Sequence, residues 1–539
     1  MNKNKALVFL LLPLIIVGSV AIGIVLGGIL TPSDVNDKNI LFQSQQYSSA
    51  AKLNEILNYI VDMYVDSVDK KHLTEQSIST MLSELDPHSY YIPAKDFDEM
   101  NEPLEGNFDG IGVEFRIKDD TVMIISPIAN GPSEKLGIKA GDRIIKVDDK
   151  RIAGVGITND SIIKLLKGPR GTNVEVDIVR PGYSKVFHYK ITRDEIPIYS
   201  VDAPYIIKGK TGYLRITRFS KTTYEEFMQA TQKLLKEGME KLIIDLRGNG
   251  GGVLAASTMI ADEMLPKNAM IVYTDGRTRS REEVYATGGG TLEQVEIAIL
   301  INESSASASE VLAGAIQDND RGVIIGRRSF GKGLVQEQVM WPDGSALRLT
   351  VARYYTPTGR CIQKPYDSNL EAYHAEAYNR FDNGELLSAD SIHFPDSLKY
   401  YTPSGKLVYG GGGIMPDEFV PLDTTDGTPY LYELRYKGIL QDFALNYADT
   451  ERKILMGKYM NAVSFKNKFK VNDDLFNSLI KYAEEQGMPR KLDEIMISKE
   501  LIRRGIKAAI SRNLYNDFGY YVITNEYDQT VQKAIESLN

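Results

Sequence analysis

One cysteine, Cys361, serves a chain of 539 residues. It excludes an intrachain disulfide and a thiolate metal cluster. Histidine is scarce as well: His72, His88, His188, His374 and His393 are the full set. No His-Glu-x-x-His spacing occurs, so a common zinc-protease signature is missing, and neither a metal nor another cofactor is expected. Basic charge is in deficit, with 63 Lys and Arg against 72 Asp and Glu and a net charge of −9. That balance, with a pI near 5.4, argues against a nucleic-acid partner. What remains is ordinary globular composition, 43% hydrophobic and 25% charged, and length for roughly three or four domains.

The chemistry concentrates between Asn302 and Gln336. Val295 to Ile301 is a short apolar run rich in β-branched residues, which predicts a strand. Small hydroxyl residues follow, and then Glu310, Val311, Leu312, Ala315 and Ile316 recur at helical spacing, predicting a helix with one buried face. Ser305, Ser307 and Ser309 sit at this strand-to-helix turn. There backbone N–H groups lack partners and the helix dipole is positive, which suits an oxyanion. Serine is equally an ordinary helix N-cap.

A nucleophilic serine needs a base, and no histidine lies near in sequence. Lys332 does, in Gly331-Lys332-Gly333. Burial disfavours an ammonium and lowers its pKa. A free lysine near 10.4 would have to fall to about 7–8 to act as a base, a shift of roughly 4 kcal/mol. Ser-Lys is a recurring variant of the nucleophile–base pair. Gly326-x-x-x-x-Gly331-Lys332 also mimics a nucleotide P-loop, but that motif needs Ser or Thr next and then a helix. Gly333 follows instead, and Leu334 to Met340 alternates like a strand.

Ser-Ala-Ser-Ala-Ser-Glu at 305–310, with Ser-Phe-Gly-Lys-Gly-x-Val-Gln at 329–336, resembles the C-terminal processing, or tail-specific, serine peptidases. The resemblance spans roughly Leu53 to Asp417. It implies an α/β crotonase-like (ββα spiral) protease core with an inserted PDZ domain. It also implies that Ser307 is the nucleophile, Lys332 the general base, Gln336 the residue holding the lysine amine, and Glu310 a support for the site. In that family the Asp-Leu-Arg-x-Asn-Gly-Gly loop, here Asp245 to Gly251, faces the nucleophile. The N–H of Gly250 or Gly251 would pair with that of Ala308 as the oxyanion hole. A plain structural turn is the other reading of those glycines. Cys361 stands where the family usually shows serine.

At the N-terminus, Lys3 and Lys5 precede an uncharged, mostly apolar run from Ala6 to Leu30. It exceeds the roughly 20 residues that a bilayer core requires. The basic end should stay cytoplasmic. With no clear Ala-x-Ala site near Thr31, an uncleaved anchor is preferred to a cleaved signal. The expected location is a bacterial inner membrane, single-pass through residues 6–30, with the catalytic domain in the periplasm. Residues 1–31 are thus read as a transmembrane anchor and 32–105 as a linker and helical region ending near Leu85-Asp-Pro-His88. His88 reads as a turn residue.

Residues 106–193 read as the PDZ domain. Phe108-Asp-Gly-Ile-Gly-Val-Glu-Phe115 resembles a carboxylate-binding loop, in which Gly110, Ile111, Gly112 and Val113 would meet a chain end through backbone N–H groups. Ile162, Leu165 and Leu166 would line the groove from a helix, so the expected partners are proteins with apolar C-terminal tails. Residues 194–421 form the expected protease core, with βα alternation and a polar insertion at 367–407 that the sequence leaves without a role. Residues 422–539 read as a C-terminal helical domain. Leu431, Leu434, Ile439, Leu440, Phe443 and Ala444 form one of its apolar stripes, for its own core or for a homodimer contact. The expected function is that of an exported serine endopeptidase cutting near protein C-termini. The alternative is a non-catalytic membrane-anchored PDZ scaffold.

Overall fold

A computed structural model describes residues 49–366 and 370–539. The apolar run 6–30 lies outside them. Among the described residues no helix is long and apolar enough to cross a membrane. The chain divides into two units between Thr74 and Glu75. In the first, the helix Ser49–Met63 buries none of its residues.

The second unit is built around a six-stranded sheet. Its strands run in the order Val201–Lys208, Thr211–Ile216, Lys241–Asp245, Glu296–Ile301, Gly322–Gly326 and Glu418–Phe419. The first pair is antiparallel and the rest are parallel. Parallel strands covered on both faces read as continuous apolar runs, and alternate residues here go to different cores. Leu242, Ile244, Ile297, Ile299 and Ile301 face the helices Thr223–Lys236, Leu254–Asp262 and Ala308–Asp318. Ile243, Ala298 and Leu300 face Val531, Ala534 and Ile535 of the last helix, Gln529–Ser537. A second sheet joins Tyr90–Ile92, Ala346–Tyr355, Met270–Asp275 and Glu282–Tyr285, with Leu334–Met340 paired along Ala346–Tyr355.

Between Tyr90–Ile92 and the central sheet, the chain forms a separate antiparallel sheet whose principal strands are Val113–Lys118, Thr121–Pro127, Arg143–Val147, Asn173–Val179 and Val186–Thr192. The helix Asn159–Leu166 packs on it. Asn107–Gly110 and Asp194–Pro197 pair where the chain enters and leaves, which closes the insertion at its base. Its outer face meets the C-terminal helices. Arg143 pairs with Asp449 at 3.3 Å, Arg116 with Asp442, and Lys118 with Asn446. Asp442, Asn446 and Asp449 share one face of the helix Ile439–Lys458 by their spacing.

Two expectations need correction. The helix Ala308–Asp318 does not have one buried face, because all its residues are buried. The stripe from Leu431 to Ala444 is not one helix. Gly438, with φ of 69°, turns the chain between Pro429–Tyr436 and Ile439–Lys458. The polar insertion, which the sequence leaves without a role, carries the helix Leu370–Asp382 and a small hairpin, Lys399–Tyr401 with Leu407–Tyr409.

Candidate active site

Ser307 ends the loop after the strand Glu296–Ile301 and begins the buried helix. Its φ is 55°, in the left-handed region that non-glycine residues rarely occupy. The turn puts Ala308 at the first helical position, where a backbone N–H has no intrahelical acceptor. Among the described residues, the Ala308 N–H has no protein acceptor.

Glu310 supports this turn. One of its oxygens, Oε2, accepts the backbone N–H of Ser307 at 2.9 Å and that of Lys332 at 2.8 Å. The other, Oε1, accepts the Gly331 N–H at 2.7 Å and the Ser329 hydroxyl at 2.5 Å. Burial pushes its pKa from 4.5 up to about 6, against the pull of these donors. Four donors require an acceptor-only group, which is the ionised carboxylate.

The loop carrying Lys332 has every main-chain group paired from Ser329 to Gly333. Besides the bonds to Glu310, the N–H groups of Ser329, Phe330 and Gly333 donate to Ile414 O, Ser305 O and Gln363 Oε1. The carbonyls of Ser329 and Phe330 accept from Arg380, and that of Gly331 from the Lys364 N–H. Those of Lys332 and Gly333 accept from the Tyr354 hydroxyl and the Tyr354 N–H. Tyr354 Oη also lies 3.1 Å from Ser307 O, so one buried phenol joins the two loops a second time.

The Lys332 amine is half-buried and donates to Gln336 Oε1 at 2.9 Å. Gln336 is oriented in turn by its Nε2, which donates to His88 O. Burial pulls the Lys332 pKa below its ordinary value, with Arg348 adding to the pull while Asp86 and Glu310 oppose it. No hydrogen bond joins Ser307 Oγ to Lys332 Nζ in this structure, in which the amine is held by Gln336. Both side chains line one cleft of about 650 Å³ with Gly250, Gly251, Gln336 and His88. Catalytic hydrogen bonds commonly tighten only with substrate in place.

The glycine loop packs directly on the serine turn. A Cβ on Gly251 would fall 2.7 Å from Ser307 Cβ and 2.9 Å from Ala308 N. Gly251 uses its own N–H on Asn249 Oδ1 at 2.8 Å. The Gly250 N–H has no protein acceptor among the described residues. Of the two glycines named from sequence, Gly250 therefore has the donor at liberty, and Gly251 supplies the close approach.

In the smaller sheet domain, Gly112 has φ of 72° and follows a turn tied by Ser133, whose N–H and hydroxyl both donate to Ile111 O. The N–H groups of Ile111 and Gly112 have no protein acceptor among the described residues. Gly110 and Val113 flank them at the ends of two strands. Ile111, Ile162 and Leu166 belong to the domain's buried core, while Leu165 is partly buried against it. The helix positions thus brace the loop more than they line an open groove.

Sequence reasoning missed three contributors. Asp86 accepts from the His88 N–H, the Ser89 N–H and the Ser89 hydroxyl, and so shapes the segment whose carbonyl orients Gln336. The Asp-Pro-x-Ser pattern is a local turn signal that would have found it. His88 contributes that carbonyl, and its ring Nε2 lies 2.7 Å from Tyr373 Oη. Tyr354 had no local signal.

Residues 210–369 match the model of peptidase family S41, and residues 110–191 match a PDZ domain. Residues 30–96 match the N-terminal domain of the activating protease CtpB, and 430–516 a family of unknown function. A carboxy-terminal-processing protease of Bartonella bacilliformis is 37% identical over 326 residues, 60% of this chain and 74% of that protein. The carboxy-terminal processing protease CtpB of Bacillus subtilis is 34% identical over 324 residues, 60% of this chain and 67% of its own length. Among solved structures, a photosystem II D1 C-terminal processing protease is 32% identical, with a TM-score of 0.34, over 58% of this chain and 84% of that one.

Proposed function

The chain belongs to the S41 family of carboxy-terminal processing serine peptidases, and from that premise we propose that it cuts proteins near their C-termini with a Ser307–Lys332 dyad. It is a serine-type peptidase with a PDZ domain, and its substrates are proteins. The observation that carries the dyad is the shared anchor. Glu310 Oε2 accepts the backbone N–H of both residues, and both side chains open into one cleft.

Neutral Lys332 takes the Ser307 proton as Oγ attacks the scissile carbonyl. The N–H groups of Ala308 and Gly250 face the oxygen that becomes negative. The ammonium so formed passes its proton to the departing amine, leaving an ester on Ser307. Water, activated by the same amine, then hydrolyses the ester. Gln336 holds the amine in the meantime and adds no charge that would favour the ammonium. The loop at Gly110 to Val113 binds the substrate's terminal carboxylate. An apolar tail end is the partner expected from the sequence, with Ile162 and Leu166 themselves buried in the core that braces the loop.

The core is read as crotonase-like from its resemblance to that peptidase family. The protein is read as an exported one, anchored in a bacterial inner membrane by residues 6–30 with its catalytic domain in the periplasm. The charge pattern around that run supports this reading. Homodimer contact through the C-terminal helices belongs to the same expectation.

The test is Ser307→Ala and Lys332→Ala, each assayed on a protein with an apolar tail. Either variant cutting at the parent rate rejects the dyad. A serine-reactive acylating probe followed by mass mapping should label Ser307. No labelling of that residue would leave the PDZ scaffold reading in its place.

A further inference from the structure

The insertion that sequence reading leaves without a role reaches the catalytic loop. Its helix, Leu370–Asp382, lies beyond the last residue matched by the peptidase model, 369. Arg380, on the last turn of that helix, is 2% exposed. Its Nη1 donates to Ser329 O at 2.8 Å and its Nη2 to Phe330 O at 3.1 Å. A longer contact, 3.4 Å, reaches Arg328 O. The third nitrogen, Nε, donates to Glu376 Oε1 at 2.7 Å, one helical turn back. Glu385 Oε1 lies 3.7 Å from Nε as well.

These carbonyls belong to the two peptides just before Gly331-Lys332-Gly333. Glu310 holds the N–H side of the loop and Arg380 holds the carbonyl side. Nothing weaker would fix both. A planar guanidinium presents its donors in a rigid fork, whereas a lysine would offer a single centre. The charge is not left unpaired: Glu376 and Glu385 pair with Arg380 and Arg328, and Glu376 Oε2 also meets Lys364 Nζ at 2.8 Å. Arg328 Nε sits 2.6 Å from Glu385 Oε1, and its Nη2 lies 3.3 Å from Glu376 Oε1. Breaking such a buried set from one side leaves an uncompensated charge.

We propose that Arg380 is a positioning residue for Lys332: by gripping the Ser329 and Phe330 carbonyls, it sets where the lysine amine stands relative to Ser307. The inference rests on Lys332 being the base. It gives the insertion a function in catalysis, that of a brace the matched peptidase segment does not itself contain. Displacement of a catalytic group by about 1 Å lowers rates by about 100-fold, so the brace matters even though Arg380 touches no substrate.

The experiment uses the full chain with Arg380→Ala, Arg380→Lys and, as reference, Lys332→Ala. The readouts are the burst rate of Ser307 acylation by a p-nitrophenyl ester across pH, binding of an apolar-tailed peptide, and thermal unfolding. Arg380→Ala should acylate about 100-fold more slowly, with its acid limb displaced and peptide affinity unchanged. Guanidinium ion at millimolar concentration should restore part of the rate, since the vacated space keeps the two carbonyls and Glu376. Arg380→Lys should fold and fall between. A parent-like rate and acid limb in Arg380→Ala, or a loss matching its unfolded fraction, overturns the proposal. Should Arg380→Ala fail to fold, Arg380→Lys decides, and parent-like behaviour there overturns it. Parent-like acylation by Lys332→Ala would instead bring down the base assignment and this inference together.

Discussion

Ser307 and Lys332 hang from one atom: Glu310 Oε2 accepts the main-chain N–H of each, at 2.9 and 2.8 Å. The residues proposed as nucleophile and base are therefore registered through their backbones, and their side chains need no direct bond at rest. Tyr354 repeats the arrangement on the carbonyl side, meeting Ser307 O and Lys332 O with one hydroxyl.

Glu310→Gln should remove activity while keeping the shape of the side chain. The amide has one acceptor and one donor end, and four donors converge on this position. At least one backbone N–H then faces an NH₂ group, at a cost of about 1–3 kcal/mol. Peptide cleavage should fall at least about 100-fold, and thermal denaturation should show the lowered stability. Cleavage within about twofold of the parent would refute the shared-anchor account.

Activity should rise with pH as the amine of Lys332 loses its proton, at a pH below the ordinary lysine range because burial disfavours the ammonium. For stability the sign is the same. The buried charge destabilises the fold below the lowered folded pKa. Its penalty is relieved as pH climbs from there toward the unfolded lysine value. Gln336→Glu should move the acid limb upward by about 1–2 units, because a carboxylate would stand where the amide oxygen now accepts at 2.9 Å. An unmoved limb in the kcat/KM profile would argue that another group sets it.

Glu310 titrates in the opposite sense for stability. Its folded pKa, about 6, exceeds the ordinary 4.5. Between those values the folded state binds the proton more readily, so Glu310 contributes stability below pH 4.5 that is lost as pH rises through about 6. Protonation nonetheless removes an acceptor from the Ser307 and Lys332 N–H groups. A second loss of activity is therefore expected below about pH 6, and it should vanish from the profile of Glu310→Ala measured on its residual rate.

Gly250→Ala and Gly251→Ala should separate sharply. A methyl at 250 meets nothing within 4 Å, whereas one at 251 strikes Ala306 O and Ser307 Cβ at 2.7 Å, on a backbone with φ of 96°. Gly251→Ala should lose about 1–3 kcal/mol and nearly all cleavage. Gly250→Ala keeps its N–H and should cleave within a few-fold of the parent. Equal effects in parallel unfolding and cleavage assays would contradict this packing.

Tyr354→Phe deletes the hydroxyl alone. The one proton shared between the Ser307 and Lys332 carbonyls is lost, which should cost about 1–3 kcal/mol and slow acylation of Ser307 by about tenfold, with tail binding to the PDZ domain intact. A rate equal to the parent's would show that Glu310 suffices.

Much of this was legible in the chain itself. The run Val295 to Ile301 reads as a strand, and Glu296–Ile301 is one. The residues around Ser307 and Lys332 declare themselves because small residues and glycines mark turns locally. The full burial of Ala308–Asp318 was not legible. Ser309, Gln317 and Asp318 look like a solvent face to any count of apolar periodicity. Each is buried because a distant partner meets it: Asn249 O for Ser309, Met415 O and Asp417 for Gln317, Arg360 and Thr358 for Asp318. Arg380 and Tyr354 stayed hidden for the same reason, since their partners are main-chain carbonyls, which leave no mark in a side-chain pattern.

The left-handed turn at Ser307 carries a last implication. Glycine would rest in that conformation without strain, so selection for robustness alone would discard the serine. Ser307→Gly should accordingly melt higher than its active parent, a protein made sturdier by losing its trade. A hydroxyl at a place the backbone would rather leave bare is what the role proposed for Ser307 asks of this turn.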